Sequence, residues 1–271
     1  MLKSRVLTAL VLLPLVLWMV FADVSWLFGT GVGLVVLIAA WEWSGLIELK
    51  HRWSRWNFLA LIAVSISFFY AGTPGVWLAP ILGAGIAWWL VALFLLARAA
   101  GGKRLRLVGW RGVLVGWLVL VPAWCALYWL HLLPGGAWFV MLLFLLVWSA
   151  DIGAYFTGRR FGRRKLAPAI SPGKTLEGVA GGATLALLLF LCVPLVSGWP
   201  PLPLTGLFSL AVTVILVSVA GDLFESLLKR GQGVKDSGSL LPGHGGMLDR
   251  VDSLTAAAPV FCAGVYAMLG G

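Results

Sequence analysis

Residues 207–229 read LFSLAVTVILVSVAGDLFESLLK. No charge occurs from Leu207 to Ala220; then Asp222, Glu225 and Lys229 arrive in quick succession. An apolar run of this length that ends in ionisable groups reads as a helix crossing hydrocarbon and emerging at the interface. A strand of a lipid-spanning barrel would alternate polar and apolar residues instead. On a helix, Asp222, Glu225, Ser226 and Lys229 have i, i+3, i+4 and i+7 spacing and share one face.

The same pattern recurs along the chain. A hydrocarbon core of about 30 Å takes roughly 20 helical residues. Nine candidate spans satisfy this, at about 6–21, 27–47, 57–71, 76–97, 113–133, 138–156, 178–196, 202–228 and 253–269. The first shares its pattern with a signal peptide, since Lys3 and Arg5 precede an apolar stretch, but a retained span fits the alternation that follows. Composition agrees: of 271 residues 61% are hydrophobic and 11% charged, against roughly a quarter charged in soluble domains. That excludes a soluble enzyme, a disordered chain and a disulfide-stapled secreted domain. The expected fold is an all-α polytopic integral membrane protein of about nine transmembrane helices. It is read as one membrane domain over 1–271, with residues 1–135 (spans 1–5) as scaffold and 136–271 (spans 6–9) as catalytic helices and loops.

The net charge of +10 invites a nucleic-acid reading, but the basic residues sit in clusters between spans, and no helix-turn-helix or zinc set occurs. Every Lys and Arg lies before span 1 or after spans 2, 4, 6 and 8. Positive-inside topology therefore puts the N-terminus in the cytoplasm and the C-terminus outside. Many of the sixteen Trp residues, among them Trp26, Trp41, Trp43, Trp56, Trp110, Trp138 and Trp199, fall near span ends as an interfacial belt would. Cys125, Cys192 and Cys262 lack metal spacing and read as three buried thiols.

Seven of the ten acidic residues lie between Asp151 and Asp252. Ionisable groups at membrane depth are costly and point to function. Three segments carry them. Asp151 ends an apolar run and precedes Arg159–Lys165, a cluster that suits anionic lipid. Ser171-Pro172-Gly173-Lys174-Thr175 ends like a phosphate loop, but Pro168 stands where that loop needs glycine and no strand is expected before it. Lys174 alone remains a phosphate contact. The third segment follows span 8. It holds Lys229, Arg230, Lys235, Asp236, His244, Asp249, Arg250 and Asp252 among glycines. Cations and backbone amides there suit polyphosphate, and the carboxylates suit Mg²⁺, which takes one or two of them with substrate phosphates and water. Competing readings are a Glu225–Lys229 helix-end ion pair and capping of span 9 by Asp249 or Asp252.

The stretch from Ser226 to Asp252 resembles the signature of the CDP-diacylglycerol synthase family, also called phosphatidate cytidylyltransferases. The match covers Ser226, Lys229, Arg230, Lys235, Asp236, Pro242, Gly243, His244, Gly245, Gly246, Asp249, Arg250 and Asp252. Asp151–Gly162 and Ser171–Gly178 are similar to the family's two upstream motifs, with Gly173 replacing the first Lys of the usual Ser-Pro-Lys-Lys-Thr. The resemblance implies that CTP and phosphatidic acid yield CDP-diacylglycerol and pyrophosphate. It implies Mg²⁺, with a monovalent cation such as K⁺ beside it in some members. The lipid phosphate would be the nucleophile, so no serine nucleophile is needed and catalysis becomes positioning plus charge neutralisation.

On that basis Asp222 and Asp249 are expected to hold the metal, with Asp252 and Asp236 holding cations or water around it. Lys229, Arg230, Lys235 and Arg250 would neutralise the triphosphate and the leaving pyrophosphate. Asp151, Ser171, Lys174 and His244 would bind nucleotide or lipid headgroup. The expected partners are CTP, phosphatidic acid and membrane lipids, without nucleic acid; assembly as a homodimer is left open. The expected location is a bacterial inner membrane with the site facing the cytoplasm. Two rivals stand beside this reading. A CTP-dependent lipid kinase of the polyprenol type would release CDP. An ion-coupled transporter would spread its carboxylates at mid-depth over several spans.

Overall fold

In the computed structural model the described residues are 2–22, 24–72, 74–99, 101–102, 105–197, 199–200, 202–240 and 245–270. Among them the helices are α1 (Leu2–Phe21), α2 (Ser25–Leu46), α3 (Arg52–Ala71), α4 (Pro74–Ala99), α5 (Gly109–Leu132), α6 (Gly136–Phe161), α7 (Leu176–Ser197), α8 (Leu204–Gly231) and α9 (Leu248–Met268). Eight, α2 to α9, are long and apolar enough to cross a membrane, and α1 carries the shorter apolar stretch Leu10–Phe21. Each expected span therefore has its helix, usually a few residues longer than hydropathy alone marks. The extensions matter at the ends of α6 and α8. They carry regular helix on through Arg159 and Arg160 in α6 and through Lys229 and Arg230 in α8, and α8, at 28 residues, is about 42 Å long.

One element is absent from the sequence expectation. Strands β1 (Lys165–Ala167) and β2 (Ser171–Thr175) form an antiparallel hairpin between α6 and α7. Strands this short, containing Pro172 and Gly173, show no alternation to read. The hairpin corrects the expectation that no strand precedes this segment: β1 does, and Gly173-Lys174-Thr175 are themselves the end of β2. The Thr175 hydroxyl accepts from Gly178 N at 3.1 Å and so caps α7. Glu177 ties down the hairpin's entry, accepting from Arg163 N at 3.0 Å and Arg164 N at 3.1 Å.

α5 is the most enclosed span and runs against α2, α4 and α9. Trp124 on α5 donates to Gly29 O at 2.9 Å. Trp43, expected in the interfacial belt, is instead buried and donates to Gly112 O at 3.0 Å. Its indole N–H needs a partner once inside the bundle. Cys125 and Cys262 are buried as expected, but Cys192 is exposed on α7. α6 and α7 pack closely: a Cβ on Gly153 would lie 2.9 Å from Gly182 Cα. Small residues at such a seam let backbones approach where no hydrophobic effect drives helices together.

The four basic connections meet at one end of the bundle. Gly109 N donates to Ile47 O at 3.4 Å, Gln232 Nε2 to Leu46 O at 2.9 Å, and Arg230 Nε to Ile170 O at 3.4 Å. Arg106 pairs with Glu48 across the same end. That hydrogen bond, followed by the one from Gln232, holds the Glu48 carboxyl below the usual glutamate range.

Candidate active site

The two ends of the site are built differently. On one side α8 brings Asp222, Ser226 and Lys229 onto one face, as their spacing predicts. Asp222 finds its partner on the hairpin: Lys174 Nζ lies 2.7 Å from its Oδ2. Ser226 Oγ donates to Asp222 Oδ1 at 3.3 Å. On the other side Lys229 Nζ lies 2.6 Å from Asp249 Oδ1 and 3.3 Å from Glu225 Oε2. The expected Glu225–Lys229 pair thus exists, but Lys229 is shared with α9. Glu225 is buried between Lys229 and the Asp252 carboxyl.

Asp249, in the first turn of α9, has further donors. Gly246 N reaches its Oδ2 at 2.8 Å and Ser237 N at 3.0 Å. It therefore grips its own incoming loop. Asp252, one turn on, accepts from Ser253 N at 2.7 Å.

Between these sides lies a cavity of about 500 Å³. Its walls include Asp151, Asp222, Lys229, Arg230, Lys235, Asp236, Asp249, Arg250 and Asp252. Nine of the twelve residues singled out from sequence thus converge on one space. Arg230 also donates to Ile170 O and to Val234 O, at 3.4 and 3.2 Å, which fixes its stem against the hairpin turn. Ser171 and Lys174 line an adjoining groove of about 520 Å³ that shares Asp151 and Asp222 with the cavity. The rest of the groove is largely apolar, walled by Ala150, Ala154, Val179, Ala183, Ile215 and Val219 of α6, α7 and α8, with Tyr155, Arg159 and Thr175 also on its lining. His244, with Pro242 and Gly243, lies outside the described residues. A larger cleft of about 710 Å³ beside Arg160, Arg163 and Arg164 shares no residue with either space.

Sequence reasoning passed over Glu42. It belongs to α2 and is buried, yet it accepts from Ser237 Oγ, Met247 N and Leu248 N, which lead into α9. An acidic residue inside an apolar span was a visible signal; its partner, some two hundred residues away, was not.

Among the described residues no group of three or more His, Cys, Asp or Glu closes on a point that would hold an ion unaided. The donor set still fits Mg²⁺, because that ion needs only one or two carboxylates when phosphates and water complete its shell. Asp222 and Asp249 both face the cavity. Each is paired with a lysine, Asp222 with Lys174 and Asp249 with Lys229.

A site that gathers carboxylates and cations at one end of the bundle, open to an apolar groove, suits an anionic nucleotide and an anionic lipid. The comparisons with known proteins agree. The phosphatidate cytidylyltransferase of Pseudomonas aeruginosa is 43% identical over 273 residues, covering 98% of both chains. That of Haemophilus influenzae is 38% identical over 281 residues, with 96% of this chain and 97% of the relative covered. That of Bacillus subtilis is 47% identical over 126 residues, 46% of each chain. The model of the cytidylyltransferase family matches residues 3–268, and the chain belongs to that family.

Proposed function

We propose that the chain transfers the cytidylyl group of CTP to phosphatidic acid, giving CDP-diacylglycerol and pyrophosphate for phospholipid synthesis. The observation that carries this reading is the junction of the charged cavity with the apolar groove through Asp151 and Asp222. A water-soluble triphosphate suits the first space and diacyl tails suit the second.

The reaction balances without an enzyme nucleophile. A phosphate oxygen of phosphatidic acid attacks the α-phosphorus of CTP, and the bond to the bridging oxygen of the pyrophosphate breaks. Lys229, Arg230, Lys235 and Arg250 neutralise the triphosphate and the charge left on pyrophosphate. Asp222 and Asp249 would hold Mg²⁺, which when bound supplies charge neutralisation at the phosphoryl oxygens. Lys174 pairs with Asp222 while no nucleotide is present and turns to phosphate when it arrives, whereas Lys229 stays against Asp249 and meets the phosphates from the cavity wall. Asp236 and Asp252 hold cations or water around the centre. Asp151, Ser171 and His244 orient nucleotide or headgroup. Basic-loop alternation supports a cytoplasmic site and N-terminus in an inner membrane.

The test is an assay in detergent with labelled CTP and phosphatidic acid. Pyrophosphate and CDP-diacylglycerol should form only with Mg²⁺. Release of CDP would instead indicate a lipid kinase, and no turnover at all would sink the reading. Lys235→Cys in a background without the native cysteines should react with an impermeant maleimide only from the cytoplasmic side.

A further inference from the structure

Helix α9 begins without a cap of its own: Met247, at its N-terminus, makes no side-chain capping bond. The first N–H groups of any helix lack intrahelical partners. Here they are met from across the bundle. Glu42 Oε1 accepts from Met247 N at 3.0 Å, and Oε2 accepts from Leu248 N at 2.8 Å. A carboxylate is also the favoured charge at that end of a helix dipole. Glu42 is buried and does not line the cavity.

The same carboxylate controls the residue that enters the cavity. Ser237 gives its hydroxyl to Glu42 Oε2 at 3.0 Å and its N–H to Asp249 at 3.0 Å. Gly246 gives its N–H to Asp249 at 2.8 Å, while a Cβ on Gly246 would collide with Glu42 Oε2 and Ser237 Oγ. Glu42 and Asp249 therefore share Ser237 and hold adjacent residues at the entry to α9. Moving one displaces the donors that orient the other.

We infer that Glu42 is a positioning residue for the reaction: it caps α9 from α2 and thereby fixes the Asp249 carboxylate in the cavity, without touching substrate. This rests on the reading of the cavity as the cytidylyl-transfer site. All three groups that reach Glu42 donate, so a carboxylate can satisfy each of them and an amide cannot. A shift of about 1 Å at a reacting centre is worth roughly a hundredfold in rate.

The experiment uses the full chain in lipid nanodiscs, with two readouts. Glu42→Gln should lower kcat by about 10- to 100-fold, leave KM for phosphatidic acid within about twofold, and quicken backbone amide exchange selectively over 245–252. Glu42→Asp, which keeps the charge, should recover part of kcat. Glu48→Gln lies on the same side of the bundle but reaches Gln232 and Arg106, so it should change neither readout. Should Glu42→Gln fail to fold, Ser237→Ala removes one of the three donors and should give a few-fold loss of kcat with the same local exchange. The inference is overturned if kcat per folded molecule stays within about twofold of the parent, or if exchange quickens throughout α2 and α5 as much as at the loop. If the parent itself releases no pyrophosphate from CTP, the reaction is wrong, while the exchange readout still tests the clamp.

Discussion

Two lysine–carboxylate pairs border the site with nearly equal separations, 2.6 Å for Lys229–Asp249 and 2.7 Å for Lys174–Asp222. Their surroundings differ. The Lys229 and Asp249 side chains are 11% and 7% exposed, and the carboxylate has two backbone donors behind it. The Lys174 and Asp222 side chains are 24% and 29% exposed, and Asp222 has one further donor, the Ser226 hydroxyl. One pair is built into the packing of α2, α8 and α9. The other joins a helix to a two-stranded hairpin. The contrast teaches that ion-pair distance says little about role: burial and the remaining donors decide whether a pair is fixed or exchangeable. The Lys229 side is the prearranged wall of the site, and the Lys174 side is the part that can open to a nucleotide.

The sharpest way to break this contrast is Asp249→Asn. It removes the shortest ion pair of buried Lys229 and leaves Glu225 and Asp252 beside it, so turnover should fall by about 10³-fold and stability by roughly 3–5 kcal/mol. Pyrophosphate release and thermal unfolding in the same detergent measure both. Asp222→Asn should cost turnover about as much or somewhat less, ~10²- to 10³-fold, yet destabilise clearly less than Asp249→Asn, because its pair is two to four times more exposed and has fewer donors behind it. Equal destabilisation by the two variants would erase the distinction drawn above.

Gly173→Lys offers a gentler probe of the open side. A Cβ at Gly173 meets nothing within 4 Å, and the substitution restores the charge usual in the family. KM for CTP should fall by about two- to fivefold, with kcat unchanged and the KM effect shrinking as salt rises. A change in kcat would mean that the hairpin does more than bind.

The smallest effect lies at the end of α2. Glu48 is held below its ordinary carboxyl value of 4.5 by Arg106 and then Gln232. A depressed folded value means the stabilisation is present above 4.5 and is lost as pH falls through the folded value. Glu48→Gln should therefore lower the unfolding temperature slightly near neutral pH, and the two curves should converge in acid.

How much of this was legible beforehand depends on the range of the interaction. The spans were readable because hydrocarbon imposes the same demand on every twenty residues. The shared face of Asp222, Ser226 and Lys229 was readable because helical geometry fixes it locally. The partner of Asp222 was not, since Lys174 reaches it only through a hairpin too short to show a strand period. The inward turn of Trp43 and the exposure of Cys192 were likewise invisible, because hydropathy gives depth along a helix but not which side faces a neighbour. The Asp249 motif announced its chemistry and concealed its support, which comes from Glu42 in the half of the chain read as scaffold.

The sequence by itself determined a bundle of membrane helices with its ionisable residues collected in the later segments, because burial in lipid constrains each span independently of the others. Only the tertiary structure decided which lysine neutralises which carboxylate and which helix caps α9. Those choices depend on distances between segments far apart in the chain, and no local pattern encodes them.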